Sequence, residues 1–381
     1  MLNKLNIVFM PISIYKGMAS TKRLNNYLPK LDEEGIEYHS IVLTSDGSLQ
    51  SNSKELVIYY QGIISRIYAQ FKVLLKFWEL KKRNYKNVLY YYDYPSIINF
   101  HLILFAKLIG YKIIFDIVED NNTITNSKSS ISSFRIATSL FLIKRIKHFS
   151  DGVIVISNHL HQMISSYIHK SIPIIDIPIS INKAEFEVLK KNHNSTQKLK
   201  IFYGGSFGEK DGLPLLLEAF DEVCKNYNCS LIITGKGSER DMKIFYTKLN
   251  GLENKNRVKY WGYLSREDYI SQLYAADIFS MNRTNSAFAN AGFPFKLGEM
   301  LAAGSPVICT RVGDISHYLT HSENAFIIDP DNKTQLVNAI IYLINNPKER
   351  ERTGKAGRAI SFELFDGDRQ SERFIQFCYS L

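Results

Sequence analysis

Little in this sequence points away from an ordinary globular protein. Its four cysteines, Cys224, Cys229, Cys309 and Cys378, fall at no metal-ligand spacing, so a metal framework is not expected and reduced thiols in the cytoplasm are the simplest reading. Apolar runs are short: Ile97 to Gly110 is broken by His101 and Lys107 and falls below the roughly 18 residues of a membrane span. The N-terminal stretch MLNKLNIVFMPIS has too little apolar length and no small-residue cleavage site, which argues against a secretory signal. Acidic residues are the scarcer charge, 37 against 47 lysines and arginines, for a net charge of +10. No nucleic-acid-binding motif accompanies that excess, so nucleic acid is not expected as a partner.

A chain of 381 residues is too long for one comfortable core, and roughly 100 to 200 residues per domain points to two. Hydrophobic residues make up 45% and the mean hydropathy is -0.14, as in a globular soluble protein. The charge is uneven. Residues 1–190 hold 23 lysines and arginines against 15 acidic residues, eight of the ten net positive charges. The excess concentrates in Arg66 to Lys86 and Arg135 to Lys147, where cations interleave with large apolar side chains. Such segments suit an anionic membrane surface, and equally a helix with one face in solvent and the other in a core.

Along the first 180 residues, Leu5 to Met10, Tyr38 to Leu43, Asn87 to Tyr92, Lys112 to Ile117 and Gly152 to Ile156 read as strands. A helix is expected over about Thr21 to Gly35, with further helices between most strands. Continuous apolar strands separated by helices indicate a parallel sheet covered on both faces. After Ile174 to Pro178, the polar stretch Lys190 to Lys198 reads as a linker. The alternation then restarts with strands at Leu199 to Tyr203, Ser230 to Thr234, Val258 to Trp261, Ile278 to Met281 and Pro306 to Cys309. The expected architecture is α/β, two Rossmann-like doubly wound domains facing across a cleft. Residues 1–190 form the first, 191–361 the second, and 362–381 a helix packing back on the first. Ligands of such sheets bind beyond the carboxyl ends of the strands.

Chemistry concentrates in Gly292 to Thr310, GFPFKLGEMLAAGSPVICT. Phe293-Pro294 fixes a turn, and a helix opening there presents unpaired N–H groups and a positive dipole end to an anion such as a diphosphate. Lys296 at the helix start is electrostatically misplaced unless an anion compensates it. Glu299, one turn further on the same face, suits the vicinal hydroxyls of a ribose, and its apolar company (Leu297, Met300, Leu301) argues against a solvated face. Arg283 adds a second fixed cation. In the turn SFGEKDG after strand LKIFYGG, Ser206 and Lys210 offer donors to a phosphate, and Gly235-Lys236-Gly237 makes a tight turn at another strand end. Gly204 to Gly208 also spells the G-x-S-x-G of a hydrolase nucleophile elbow, with Asp314 and His317 as partners on paper, but the following residues delay the helix such an elbow needs. Asp329-Pro330-Asp331 and Asp366-Gly367-Asp368 have the D-x-D spacing that can hold a divalent ion, and read first as solvated turns.

Taken with ISNHL, IPISINKAEF, YGGSFGEKDGLPLLLEAF, ITGKG and WGYLSREDYISQLYAADIF, these segments resemble the family 4 glycosyltransferases of the GT-B fold over nearly the whole chain. The resemblance implies that Glu299 is the second glutamate of the family's E-x7-E motif and binds the donor's ribose. Gly292, Phe293 and Pro294 match the backbone meeting sugar and diphosphate. Gly235 and Leu297 fall among the donor-binding positions, Lys210 matches the lysine that neutralises the diphosphate, and Gly17 matches the phosphate-approaching loop of the first domain. Tyr263 lies where the main chain reads the base, and Glu119 near the acceptor and sugar. Two positions depart from the pattern: Ala291 replaces the first glutamate, and Ser206 replaces an arginine. The FPxK form of the motif, with Lys296 and Arg283 supplying charge, marks a branch of the family.

By this resemblance the protein is a retaining, metal-independent glycosyltransferase without a cofactor, of bacterial surface polysaccharide synthesis. It moves a sugar from a nucleotide-diphosphate donor, such as a UDP- or GDP-sugar, to a glycan or polyprenyl-linked glycan. Lys210, Lys296 and Arg283 stabilise the leaving diphosphate, which itself accepts the acceptor's proton. A cytoplasmic protein, peripheral at the inner face of the membrane, is the matching location. Two other classes stay open: an epimerase acting on the nucleotide sugar alone, and a non-catalytic protein that binds sugar nucleotide or glycan.

Overall fold

The computed structural model describes residues 4–12, 19–47, 49–123, 130–168, 171–187, 198–208 and 210–381. They divide into two compact units, Met1–Ser180 with Gly367–Leu381, and Ile181–Asp366. The sequence places these divisions at residues 190 and 361 instead. The reason for the shift is local: Ile181 N–H donates to Phe365 O at 2.7 Å, and the buried Phe186 gives its carbonyl to Tyr274 and Arg358, both at 2.6 Å. Of the expected linker, residues 190–197 lie outside the described residues.

The first unit contains strands β1 (Leu5–Met10), β2 (Glu37–Thr44), β3 (Glu55–Tyr59), β4 (Lys86–Tyr92), β5 (Lys112–Ile117), β6 (Gly152–Val155) and β7 (Ile174–Asp176). Its helices are α1 (Ala19–Asn25), α2 (Leu28–Glu33), α3 (Gly62–Leu80), α4 (Phe100–Leu108), α5 (Ser130–Ile143) and α6 (Asn158–Ser165), with a C-terminal helix, Gly367–Ser380, completing the unit. The strands pair in parallel in the order β3-β2-β1-β4-β5-β6-β7. Every residue of β1 is buried, as a strand covered on both faces requires.

One face of this sheet carries an aromatic core in which Tyr27 stacks on Phe374 of the C-terminal helix at 4.7 Å, with Phe9 and Tyr90 edge-on to each other at 5.2 Å. Beside it, Arg23 is buried and bidentate to Asp116, at 2.6 and 3.1 Å, and donates to the carbonyls of Pro178 and Ile177 at 2.8 and 2.9 Å. On the other face Phe77 of α3 meets Tyr111 and Phe100 of α4 meets Phe149. The expected helix over 21–35 is two helices, because Pro29 sits in the first turn of α2 and cannot continue α1. The edge strand β3 was not expected from the sequence.

The second unit holds α7 (Ala184–Glu187), β8 (Leu199–Gly205), α8 (Leu213–Cys224), β9 (Cys229–Gly235), α9 (Glu239–Asn250), β10 (Val258–Tyr260), α10 (Arg266–Ala275) and β11 (Ile278–Met281). It continues through α11 (Ala287–Ala291), α12 (Phe295–Ala302), β12 (Val307–Thr310), α13 (Ile315–Tyr318), β13 (Phe326–Ile328), α14 (Lys333–Asn345) and α15 (Pro347–Leu364). Its sheet is parallel throughout, ordered β10-β9-β8-β11-β12-β13. Gly235 closes β9 at φ +110°, and a Cβ there would lie 1.8 Å from Gly205 O, so only glycine fits where β8 and β9 end together. No helix among the described residues is long and apolar enough to cross a membrane.

Candidate active site

In the second unit the loop after β8 is zipped onto the loop after β11. Gly212 N–H donates to Asn282 O at 2.9 Å and Thr284 N–H to Lys210 O at 3.1 Å, making an antiparallel bridge between Asp211 and Arg283. Arg283 is tied further by its N–H to Thr310 Oγ1 at 2.8 Å and by its guanidinium to Ala289 O at 3.0 Å. It is a buried, fixed cation at the carboxyl ends of β11 and β12.

Three cations converge here on one carboxylate. Burial pushes the Asp211 carboxyl up, and a hydrogen bond from Ser206 with the charges of Lys210, Arg283 and Lys296 oppose it. The residues assigned to the diphosphate are therefore neighbours in space although they span Ser206 to Lys296 in sequence. Lys210 also lies 4.2 Å over the Phe288 ring of α11. Asp211 is the functional neighbour that sequence reasoning missed: DG before a helix reads as a turn, and only the fold shows that it faces the cations.

Lys296 occupies the first turn of α12, whose N-cap position is Pro294 and carries no side-chain cap. Phe293 anchors the turn, edge-on to Tyr318 at 5.1 Å and 5.8 Å from Phe365. Gly313, at φ +53°, packs so closely that a Cβ would lie 3.1 Å from Gly292 O. Leu297 is fully buried, leaving its main chain as the part a ligand can meet. Ala291 is also fully buried.

Glu299 is 7% exposed and accepts from Arg266 Nη1 at 2.6 Å, while Arg266 also pairs with Glu185. Burial alone would lower the Arg266 pKa, but the charges of Glu299 and Glu185 raise it overall. Glu299 is therefore a carboxylate already oriented by an arginine, a partner 33 residues away that no local pattern reveals.

Gly235 N–H donates to Gly262 O at 2.8 Å, and Tyr260 donates to Gly235 O at 3.0 Å. Beside this corner, an open cleft of about 730 Å³ is lined by Lys236, Tyr246, Tyr260 and Tyr263 among others. Ser206 does not head a nucleophile elbow: its hydroxyl donates to Asp211, and α8 begins only at Leu213. In the first D-x-D string Asp329 accepts from Gln335 Nε2 at 3.0 Å and Asp331 from Asn285 N–H at 3.1 Å; in the second the backbone of Asp366 bridges to that of Ile181. No group of three or more metal-ligating side chains occurs among the described residues.

In the first unit, Gly17 lies outside the described residues, while Glu119 is exposed beyond the end of β5. Its surroundings include groups that the sequence did not single out. Asp93, at φ +73° after β4, is driven by burial to a pKa of about 6, opposed by a hydrogen bond from Tyr94 N–H and raised further by Glu119 and Asp116. Its Oδ1 meets no hydrogen-bond partner among the described residues. Asp120 lies 2.9 Å from His159 Nε2 and accepts from Asn122 Nδ2 at 2.7 Å; these bonds hold it below its usual range against burial.

Residues 185–360 match the family model of the glycosyl transferases group 1. The chain is 22% identical to the N-acetyl-alpha-D-glucosaminyl L-malate synthase of Bacillus anthracis, over 97% of this chain and 96% of that protein. It is 30% identical to the lipopolysaccharide core biosynthesis glycosyltransferase LpsD of Rhizobium meliloti, over 40% of this chain and 41% of that protein. Among solved structures, Anabaena Alr3699/HepE in complex with UDP-glucose has a TM-score of 0.74 at 17% identity, covering 99% of this chain and 100% of that one. Sucrose-phosphate synthase from Thermosynechococcus elongatus gives 0.74 at 16% identity, covering 99% of each. Two parallel Rossmann-like sheets with these neighbours are the GT-B architecture. The protein is a glycosyltransferase, and its residues 185–360 form a glycosyl transferases group 1 domain.

Proposed function

We propose that this enzyme moves a sugar, with retention of anomeric configuration, from a nucleoside-diphosphate sugar held by the second unit to a hydroxyl of a glycan or lipid-linked glycan. The observation that carries this is the convergence of Lys210, Arg283 and Lys296 on Asp211 beside the first turn of α12. A site that gathers three cations and a helix N-terminus is suited to charge that develops on a departing diphosphate. Glu299, held by Arg266, takes the ribose. On this reading Lys296 of the Phe293-Pro294-x-Lys296 motif, with Arg283, supplies the positive charge that Ser206 does not. With these cations neutralising the diphosphate, neither a metal nor a cofactor is needed. The UDP-glucose complex of the Anabaena neighbour supports the donor class, and the role of LpsD in lipopolysaccharide core biosynthesis supports a glycan acceptor.

The test is a panel of UDP- and GDP-sugars against glycan and polyprenyl-linked acceptors in EDTA, with product anomers assigned by NMR. Transfer in the presence of EDTA, with the donor's configuration kept, is the expected result. Inverted product overturns retention, and dependence on added divalent ion overturns the role given to the cations. Turnover of nucleotide sugar without any acceptor product assigns an epimerase instead, and binding without turnover assigns a non-catalytic protein.

A further inference from the structure

Helix α3 has two apolar faces, and only one of them is used by the core. Ala69, Val73 and Phe77 are buried, whereas Ile64, Tyr68, Phe71, Leu75 and Trp78, spaced by four, three, four and three residues, form a stripe on the outside. Their exposure is high: Ile64 is 85% accessible, Phe71 55% and Trp78 67%. Ile63 and Ile67 widen the stripe. Apolar arcs of this size are rare on surfaces that face only water.

The neighbouring helices extend it. Connections β3 to β4, β4 to β5 and β5 to β6 all advance the same way across the sheet, so right-handed crossovers place α3, α4 and α5 on one face. From α4 protrude Leu104 and Leu108, the latter 84% exposed, and from α5 Phe134 and Phe141. Cations rim the apolar area. Lys72 lies 4.6 Å over Tyr68, Arg145 3.6 Å over Phe141, and Lys81 and Arg83 follow the end of α3.

We propose that this face docks on an anionic lipid bilayer. The apolar stripe enters the headgroup and acyl boundary in the plane of the membrane, and Lys72, Lys81, Arg83 and Arg145 meet lipid phosphates. Trp78 and Tyr68, amphipathic rings on the same stripe, suit that interface. Charge chooses this occupant over a second copy, because a symmetric pairing of α3 stripes brings the Lys72 rims together.

Flotation with vesicles of phosphatidylcholine plus phosphatidylglycerol, against phosphatidylcholine alone, tests it. Trp78 fluorescence is followed in the Trp261→Phe background, where Trp78 is the remaining tryptophan. The protein floats with anionic vesicles and Trp78 shifts to the blue. Lys72→Gln weakens this about fivefold, in line with one cation at the surface. The double variant Phe71→Glu, Leu75→Glu weakens it by on the order of a hundredfold. Both leave the circular dichroism and melting unchanged, since the substituted side chains are exposed. No flotation at low salt, or equal flotation of the double variant, overturns the proposal. A wild-type dimer that the double variant splits, without vesicle binding, assigns the face to a second copy. None of these readouts needs donor or acceptor, so they fail independently of the transferase reading.

Discussion

Replacing Asp93 by asparagine should make the first unit more stable at neutral pH. The native carboxyl has a pKa of about 6, against 3.8 ordinarily, because burial and the charges of Glu119 and Asp116 oppose its ionisation. Below about pH 3 the group is protonated in both the folded and unfolded chain and exerts no penalty. As pH rises from there through 6 the native carboxyl must ionise in a buried site beside Glu119 and Asp116, and the stability it allowed at low pH is lost. At pH 7 the loss amounts to about 3 kcal/mol, at about 1.4 kcal/mol for each pH unit of displacement. Asparagine keeps the shape, accepts the bond from Tyr94 N–H and tolerates the left-handed backbone at φ +73°. Urea unfolding followed by Trp78 in the Trp261→Phe background isolates the first unit, which a global two-state fit of a two-unit chain does not. The variant should match the parent near pH 3 and exceed it by about 3 kcal/mol near pH 7. Equal stability of the two proteins at both pH values refutes the argument. A simultaneous fall in sugar transfer would mark Asp93 as a group kept for activity at the expense of stability.

Two further substitutions test the scaffold. Arg23→Met leaves Asp116 buried without its bidentate partner and should cost about 3–5 kcal/mol, whereas Arg23→Met with Asp116→Leu should recover only part of that loss in the same Trp78-detected unfolding, since the Tyr90 hydroxyl and the carbonyls of Pro178 and Ile177 then lose their partners. Gly235→Ala forces a methyl against Gly205 O and should destabilise the second unit by about 3 kcal/mol or more, read from Trp261 and not from Trp78.

Much of the framework could be read from local pattern. Strands such as Leu5–Met10, Lys112–Ile117 and Ile278–Met281 are continuous apolar runs between helices, and they stand where the sequence puts them. The strand ELVIY at 55–59 escaped although Leu56 to Tyr60 is an apolar run, because its place at the sheet edge, with Leu56 and Val57 only partly buried, rests on a pairing with β2 that the local pattern does not show. Lys210, Arg283 and Lys296 were legible as types, since a lysine at a helix start and an arginine after a strand conflict with simple stability. Their common neighbour Asp211 was not, nor was Arg266 on Glu299, because these encounters depend on which strand ends lie side by side. Asp93 escaped for the same reason: its raised pKa arises from burial against the end of β5, and nothing in YYYDYPS encodes that burial.

If the Lys210, Arg283 and Lys296 cluster binds the diphosphate of a sugar nucleotide, the thermal transition of the second unit responds to it. That transition is read from Trp261 in a Trp78→Phe background, with UDP, GDP and their sugars added to the parent of that background and to its Lys296→Ala variant. A ligand at a hundred times its dissociation constant stabilises the folded state by about 2.7 kcal/mol, so binding to the parent raises the transition by several degrees. That rise is expected with at least one nucleoside diphosphate, and is lost in Lys296→Ala without a change in the ligand-free transition. A parent protein that no nucleoside diphosphate stabilises, or an alanine variant stabilised as strongly as the parent, contradicts it.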